Sequence, residues 1–327
     1  MLRRRTLLCT IGGGAVAMPR AAWSQVAGRT YRIGWLSVLD LFKEPHSLAF
    51  VQRLAELGFV EGRNLVIERR HADSRLDRMS AVAAELARLK CDAYFGGGAE
   101  VSLAALTQAN RQTPIVFVAV DFDPVATGDV ASLARPGGLV TGISAQQSVL
   151  PAKRLELLQE LLPSLKKVVV FTNEQTTAQL ALVQGTARRL GITLHVVDFK
   201  RPPFDYEAGF ADAAGARADA LFVLGSGLWV PARRLIPELA LKAGLPTVFH
   251  QSQWVEAGGL MSYGFDFVSM WQRGAEMLAN ILRGAAVGSI PMEQPNVFEL
   301  VFNLKTARSL GVKIPQSLLL RAGRVVG

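Results

Sequence analysis

A rhythm of short apolar runs alternating with amphipathic stretches constrains this chain more than any other feature. It starts at Tyr31, is interrupted near residue 134 and then begins again. In the first half, strands are predicted at 31–36, 64–68, 92–95 and 114–120, with helical patterns between them. In the helix predicted at 76–90, Leu76, Met79, Ala83 and Leu86 recur on one face. The second half repeats the scheme: helix 153–162, strand 166–171, helix 179–190, strand 192–198, strand 218–224, helix 231–243 and strand 247–249. A late helix at 270–283, a strand at 298–302 and a short helix at 304–310 close it. Strands that are apolar throughout and separated by helices belong to parallel sheets covered on both faces. The Pro- and Gly-rich stretch 134–142 breaks the count of units, which favours two successive open α/β sheets over one closed barrel.

The N-terminal 25 residues read as an export signal outside this fold. Arg3, Arg4 and Arg5 precede an apolar stretch at 7–18, and small residues follow around 21–24. Two arginines ahead of Leu7 and Leu8 also fit a twin-arginine pattern loosely. Cleavage removes Cys9 and leaves Cys91 alone, which rules out an internal disulfide. The formal net charge of +9 falls to +5 once Arg3, Arg4, Arg5 and Arg20 leave with the signal. No run of five basic residues forms a stripe for nucleic acid. After the signal no stretch reaches about 18 consecutive apolar residues, so no spanning segment is expected. The expected product is a soluble periplasmic protein.

In open α/β sheets, ligands sit beyond the carboxyl ends of the strands. In the first half those ends are Trp35 to Ser37, Gly97 and Gly98 leading to Glu100, and Asp121. In the second they are Asn173 and Glu174, Ser226 in Gly225-Ser226-Gly227, and His250 with Gln251. Glycines there expose backbone amides, and a helix N-terminus directly after such a loop attracts anionic groups. A carboxylate-bearing solute is therefore expected at 97–100, with Asp121 free to receive an ammonium or hydroxyl. Trp35, Trp229 and Tyr263 are candidates for flat apolar walls, with core or rim positions as the alternative.

Enzyme signatures are incomplete. His46, His71, His195 and His250 show no metal-ligand spacing, so no metal or cofactor is expected. Gly142-Ile143-Ser144-Ala145-Gln146 lacks the last glycine of a nucleophile elbow. The Gly96 to Val101 loop lacks the third glycine of a dinucleotide fingerprint.

Three stretches carry a family resemblance: Leu57-Gly-Phe-Val-Glu-Gly-Arg-Asn64; Pro114-Ile-Val-Phe-Val-Ala-Val-Asp-Phe-Asp-Pro124 running on to Gly142; and Phe298-Glu-Leu-Val-Phe-Asn-Leu-Lys-Thr-Ala307 with Leu310 to Pro315. They resemble the substrate-binding proteins of ABC transporters, of the tryptophan-binding TrpX type. The resemblance implies two Rossmann-like lobes in a type I periplasmic binding protein fold, joined by a three-crossover hinge. It implies a first lobe of 29–142 plus 260–292 and a second of 143–259 plus 293–327. It also implies a monomeric, non-catalytic receptor that hands a small solute to an ABC transporter permease. Members that bind aromatic amino acids carry an acid after the strand matching 220–224, and here that loop has none. Ammonium recognition would fall to Asp121, Glu100 or Glu174. A neutral or carboxylate-bearing aromatic or aliphatic solute therefore stands beside an amino acid as the expected cargo. An exported α/β enzyme acting on a small acid, or a ligand-sensing receptor subunit, is the alternative.

Overall fold

The computed structural model describes residues 28–98, 100–120, 122–145, 150–295 and 297–327. The expected export segment and Asp121 lie outside the described residues.

The first half forms β1 (Tyr31–Ser37), α1 (Pro45–Glu56), β2 (Leu65–His71), α2 (Met79–Arg88), β3 (Ala93–Gly98), α3 (Glu100–Ala109), β4 (Ile115–Val120) and β5 (Val140–Ala145). Their five strands make one sheet in the order β2-β1-β3-β4-β5, with every neighbouring pair parallel. The second half continues with α4 (Leu150–Leu161), β6 (Lys167–Asn173), α5 (Thr177–Leu190), β7 (Thr193–Phe199), α6 (Tyr206–Ala216), β8 (Ala220–Val223), α7 (Leu235–Lys242), β9 (Thr247–Phe249), α8 (Ser252–Glu256) and β10 (Met261–Phe265). Then come α9 (Phe267–Leu282), β11 (Phe298–Asn303), α10 (Leu304–Ser309), α11 (Gln316–Arg321) and β12 (Arg324–Val326). The second sheet runs β12-β11-β10-β9-β8-β6-β7, with β10 and β11 antiparallel.

Each sheet is buried on both faces, as its unbroken apolar strands require. On the first sheet, one core gathers Ile33, Trp35, Phe95 and Val118 under α1 and α9; the other gathers Tyr94, Phe117 and Leu106 under α2 and α3. On the second, Val168, Val170 and Phe222 pack with the leucines of α4, while Val169, Phe171 and Phe249 pack with Trp229, Phe210 and Ile236. The fold is a two-lobed α/β structure with parallel sheets.

Three connections cross between the lobes. The first joins β5 to α4, the second joins β10 to α9, and the third runs from Glu293 to β11. Two strand memberships differ from the sequence reading. β5 lies wholly in the first sheet, so the first lobe runs to Ala145 instead of stopping at 142. β10 pairs with β9 and β11 in the second sheet, so the return to the first lobe begins at α9 and not at 260. An apolar run carries no mark of which sheet it will join. Gly142 holds φ +148, and a Cβ there would meet the Phe117 carbonyl oxygen at 1.8 Å, so only glycine lets β5 close against β4. The third crossover is tied to β5 by Ser144 N–H donating to Glu293 O (2.9 Å) and Glu293 N–H donating to Gly142 O (2.9 Å).

Candidate ligand cleft between the lobes

The carboxyl edges of the two sheets face one another. Arg233, beyond β8, forms an ion pair with Glu44, which precedes α1 in the other lobe. Nearby, a Cβ placed on Gly227 would lie 3.9 Å from the Leu39 side chain. The loop after β1 therefore meets the loop after β8 across the cleft.

Several groups hold the second-lobe wall. Asn173 ends β6 and uses Oδ1 to accept from Gln175 N–H (3.0 Å), fixing the turn into α5. Ser226 Oγ donates to Gln175 Oε1 (2.8 Å) and accepts from Leu228 N–H (3.1 Å). Gln179 clamps the Gly225 backbone twice, donating to its carbonyl (2.9 Å) and accepting from its amide (3.0 Å). His250 follows β9 directly and lies against Gly225, where a Cβ would come within 3.1 Å of the imidazole. Arg154 on α4 is fully buried and donates from Nε to Tyr263 O (2.6 Å), on β10, the strand that leads into the second crossover. Burial and then the Arg154 charge pull the His250 pKa from 6.5 to about 3, so its ring is neutral at pH 7.

The first-lobe wall includes the start of α1. Pro45 opens this helix, and His46 and Ser47 are buried in its first turn. The His46 ring packs 4.4 Å from the Trp271 ring. Burial, with Arg233 of the other lobe as the second cause, lowers the His46 pKa to about 4.

Buried polar atoms without a partner are rare and each costs about 1–3 kcal/mol. Among the described residues, several such atoms belong to strand ends or to the first turns of the helices that follow them, Gln253 Oε1 in α8 included. Others are His46 Nδ1 and Ser47 Oγ in the first turn of α1, Ser102 Oγ in the first turn of α3, Asn173 Nδ2 and His250 Nδ1.

Sequence reasoning found Asn173, Ser226, His250 and Gln251 at the second-lobe edge, where Gln251 precedes α8 half-buried. His46, Ser47, Ser102, Arg154 and Arg233 were not among the residues expected from sequence. The first three follow strand-end loops at helix starts, a signal the strand-end rule could have extended to. Other expected site residues take different roles. Trp35 is enclosed by Phe42, Phe50, Phe95 and Trp271 in the first-lobe core, where it forms no flat cleft wall. Trp229 is likewise fully buried, donates from Nε1 to Leu224 O (2.9 Å) and packs on Phe199 and Phe204. Both positions are core because large aromatic rings beside strand ends fill the space under the helices. Gly97 lies against Trp271, 2.6 Å from where its Cβ would stand, and is needed for that packing. Gly98 ends β3. Ser37 Oγ donates to Leu39 O and shapes the loop after β1. Tyr263 is half-buried and packs against the cores of both lobes, its ring stacked on Phe298. Glu100 and Glu174 are exposed.

Two α/β lobes joined by three crossovers, with ligand-facing edges opposed, define the type I periplasmic binding fold. The comparisons agree at that level and go further. The profile of the ABC transporter substrate binding protein family matches residues 47–326, and the chain belongs to that family. A curated relative, the tyrosine-binding protein of Clostridioides difficile, is 26% identical over 265 residues, which is 81% of this chain and 76% of the relative. A conserved domain protein from Vibrio cholerae superposes with TM-score 0.76 at 25% identity, over 91% of this chain and 100% of that one. An ABC domain from Streptococcus pneumonia in complex with L-Trp shares the fold, with TM-score 0.75 at 21% identity, over 91% and 100% of the two chains. Among the described residues no helix is long and apolar enough to cross a membrane.

Proposed function

We propose that this substrate-binding protein captures a small carboxylate-bearing solute, aromatic or an amino acid, between its lobes and delivers it to its permease as a periplasmic monomer without chemical change. The observation that carries this reading is the set of unpartnered buried polar atoms divided between two opposed sheet edges. Contacts from both walls exist together only when the lobes are closed, so a bound solute favours closure. The relative named for tyrosine supports an amino-acid or aromatic cargo. The loop Gly225-Ser226-Gly227 offers no carboxylate to an ammonium, which favours recognition of the cargo's acidic end. Export of the mature chain to the periplasm rests on the arginine-led N-terminal sequence.

A panel of aromatic carboxylates, their amino-acid counterparts and their amides, followed by tryptophan fluorescence and thermal shift, tests this. One class should bind at one molecule per chain and be recovered unreacted; turnover would exclude the receptor reading. Asn173→Asp keeps the Oδ1 cap and removes the Nδ2 donor. It should weaken the best binder at least about tenfold, the order expected for one buried hydrogen bond, with added repulsion if the solute's carboxylate lies near.

A further inference from the structure

We propose that the N-terminus of α1 is the subsite for the solute's carboxylate, an assignment that rests on the cleft reading above. Helix N-termini leave their first amides without intrahelical acceptors, and a side chain or an anion normally meets them. Here Pro45 occupies the first helical position, and no side chain caps the turn. No acceptor among the described residues meets the amides of His46 or Ser47; the bonding of this turn begins with Leu48 N–H donating to Glu44 O (3.0 Å).

Glu44 stands at the cap position and would be the natural anion for this helix end. Its carboxylate instead reaches across the cleft to Arg233. The ion pair thus engages the Glu44 carboxylate with Arg233 and brings that cation near His46. Two further groups of the same turn lack partners: Ser47 Oγ, whose residue is fully buried, and His46 Nδ1, whose residue is 9% exposed. Ser47 O–H and a His46 Nδ1–H tautomer both donate to an oxyanion. Two backbone donors, two side-chain donors, the positive end of a 12-residue helix and a neighbouring guanidinium match a carboxylate. An ammonium there would compete with Arg233 for the Glu44 carboxylate, which is already paired.

The corresponding end of α3, expected from sequence to hold the carboxylate, carries Glu100 at its first position. That acid already complements the dipole there and repels a second anion.

Acetate, with acetamide as the neutral control, probes the subsite directly in the 15N-labelled full chain. Acetate should move the His46 and Ser47 amide resonances saturably, and acetamide should not. Ser47→Ala should weaken the acetate response at His46 at least threefold while leaving the rest of the spectrum in place. Unmoved amides at saturating acetate, equal shifts with acetamide, or anion shifts confined to the start of α3 would each overturn the assignment. The cleft reading fails separately, if the solute panel yields no binder or shows turnover.

Discussion

Arg233 of the second lobe and Glu44 of the first form an ion pair that spans the cleft, with side chains 28% and 17% exposed. The pair exists only while the lobes are together. Removing it should favour the open form by about 1 kcal/mol, roughly a fivefold change in the closed-to-open ratio. Spin labels at Val125 and Leu182, both exposed, report the interlobe distance while Cys91 stays buried and unlabelled. Glu44→Gln and Arg233→Met should each lengthen the mean distance, and the exchange Glu44→Arg with Arg233→Glu should restore it. Identical distance distributions in all four proteins would rule out a role in closure.

The two buried histidines make the fold acid-sensitive. Their folded-state pKa values, about 4 for His46 and about 3 for His250, lie below the 6.5 of an exposed histidine. The unfolded chain therefore binds more protons below pH 6.5, and stability falls as pH drops through that value. Each histidine contributes up to about 1.4 kcal/mol per pH unit, His46 until about pH 4 and His250 until about pH 3. Urea midpoints at pH 7 and pH 5 should drop less for His250→Gln than for the wild type. Equal drops would show that His250 does not titrate in this way.

Gly97 is required by Trp271. Alanine there places a Cβ 2.6 Å from Trp271 Cη2, an overlap expected to lower stability by about 1–3 kcal/mol. Trp271→Phe removes that carbon, so the double variant should lose less than the two single losses added together. Thermal melts of the four proteins measure the coupling; strict additivity would exclude the contact.

Trp229 tests the distinction between core and cleft wall. Trp229→Phe removes the bond to Leu224 O and part of the ring, at a cost of about 2 kcal/mol. Affinity for the best solute of the panel should stay within twofold. A tenfold loss without loss of stability would make Trp229 a cleft wall after all.

The parallel strands were legible because their apolar runs are unbroken and helices separate them, as at Val168 to Val170 and Ile115 to Val118. The positions of Asn173 and His250 were legible too, since each directly follows such a run. His46 and Ser47 were not. In sequence they are an ordinary helix start after Pro45, and their isolation from partners appears only when packing encloses the turn. For Trp35 and Trp229 the sequence left cleft wall and core both open, because a ring at a strand end can face the cleft or the helices and spacing does not distinguish these; packing places both in the cores.

The sequence by itself determined the alternation of strand and helix, the restart that makes two lobes, and the acid-free loop after β8. These are local matters of hydrophobic period and residue identity, complete within a few turns of chain. Only the tertiary structure decided that β10 joins the second sheet, that Glu44 pairs with Arg233 across 189 positions of sequence, and which buried donors remain without partners. Those depend on contacts between residues far apart in the chain, and on which groups the folded lobes remove from water.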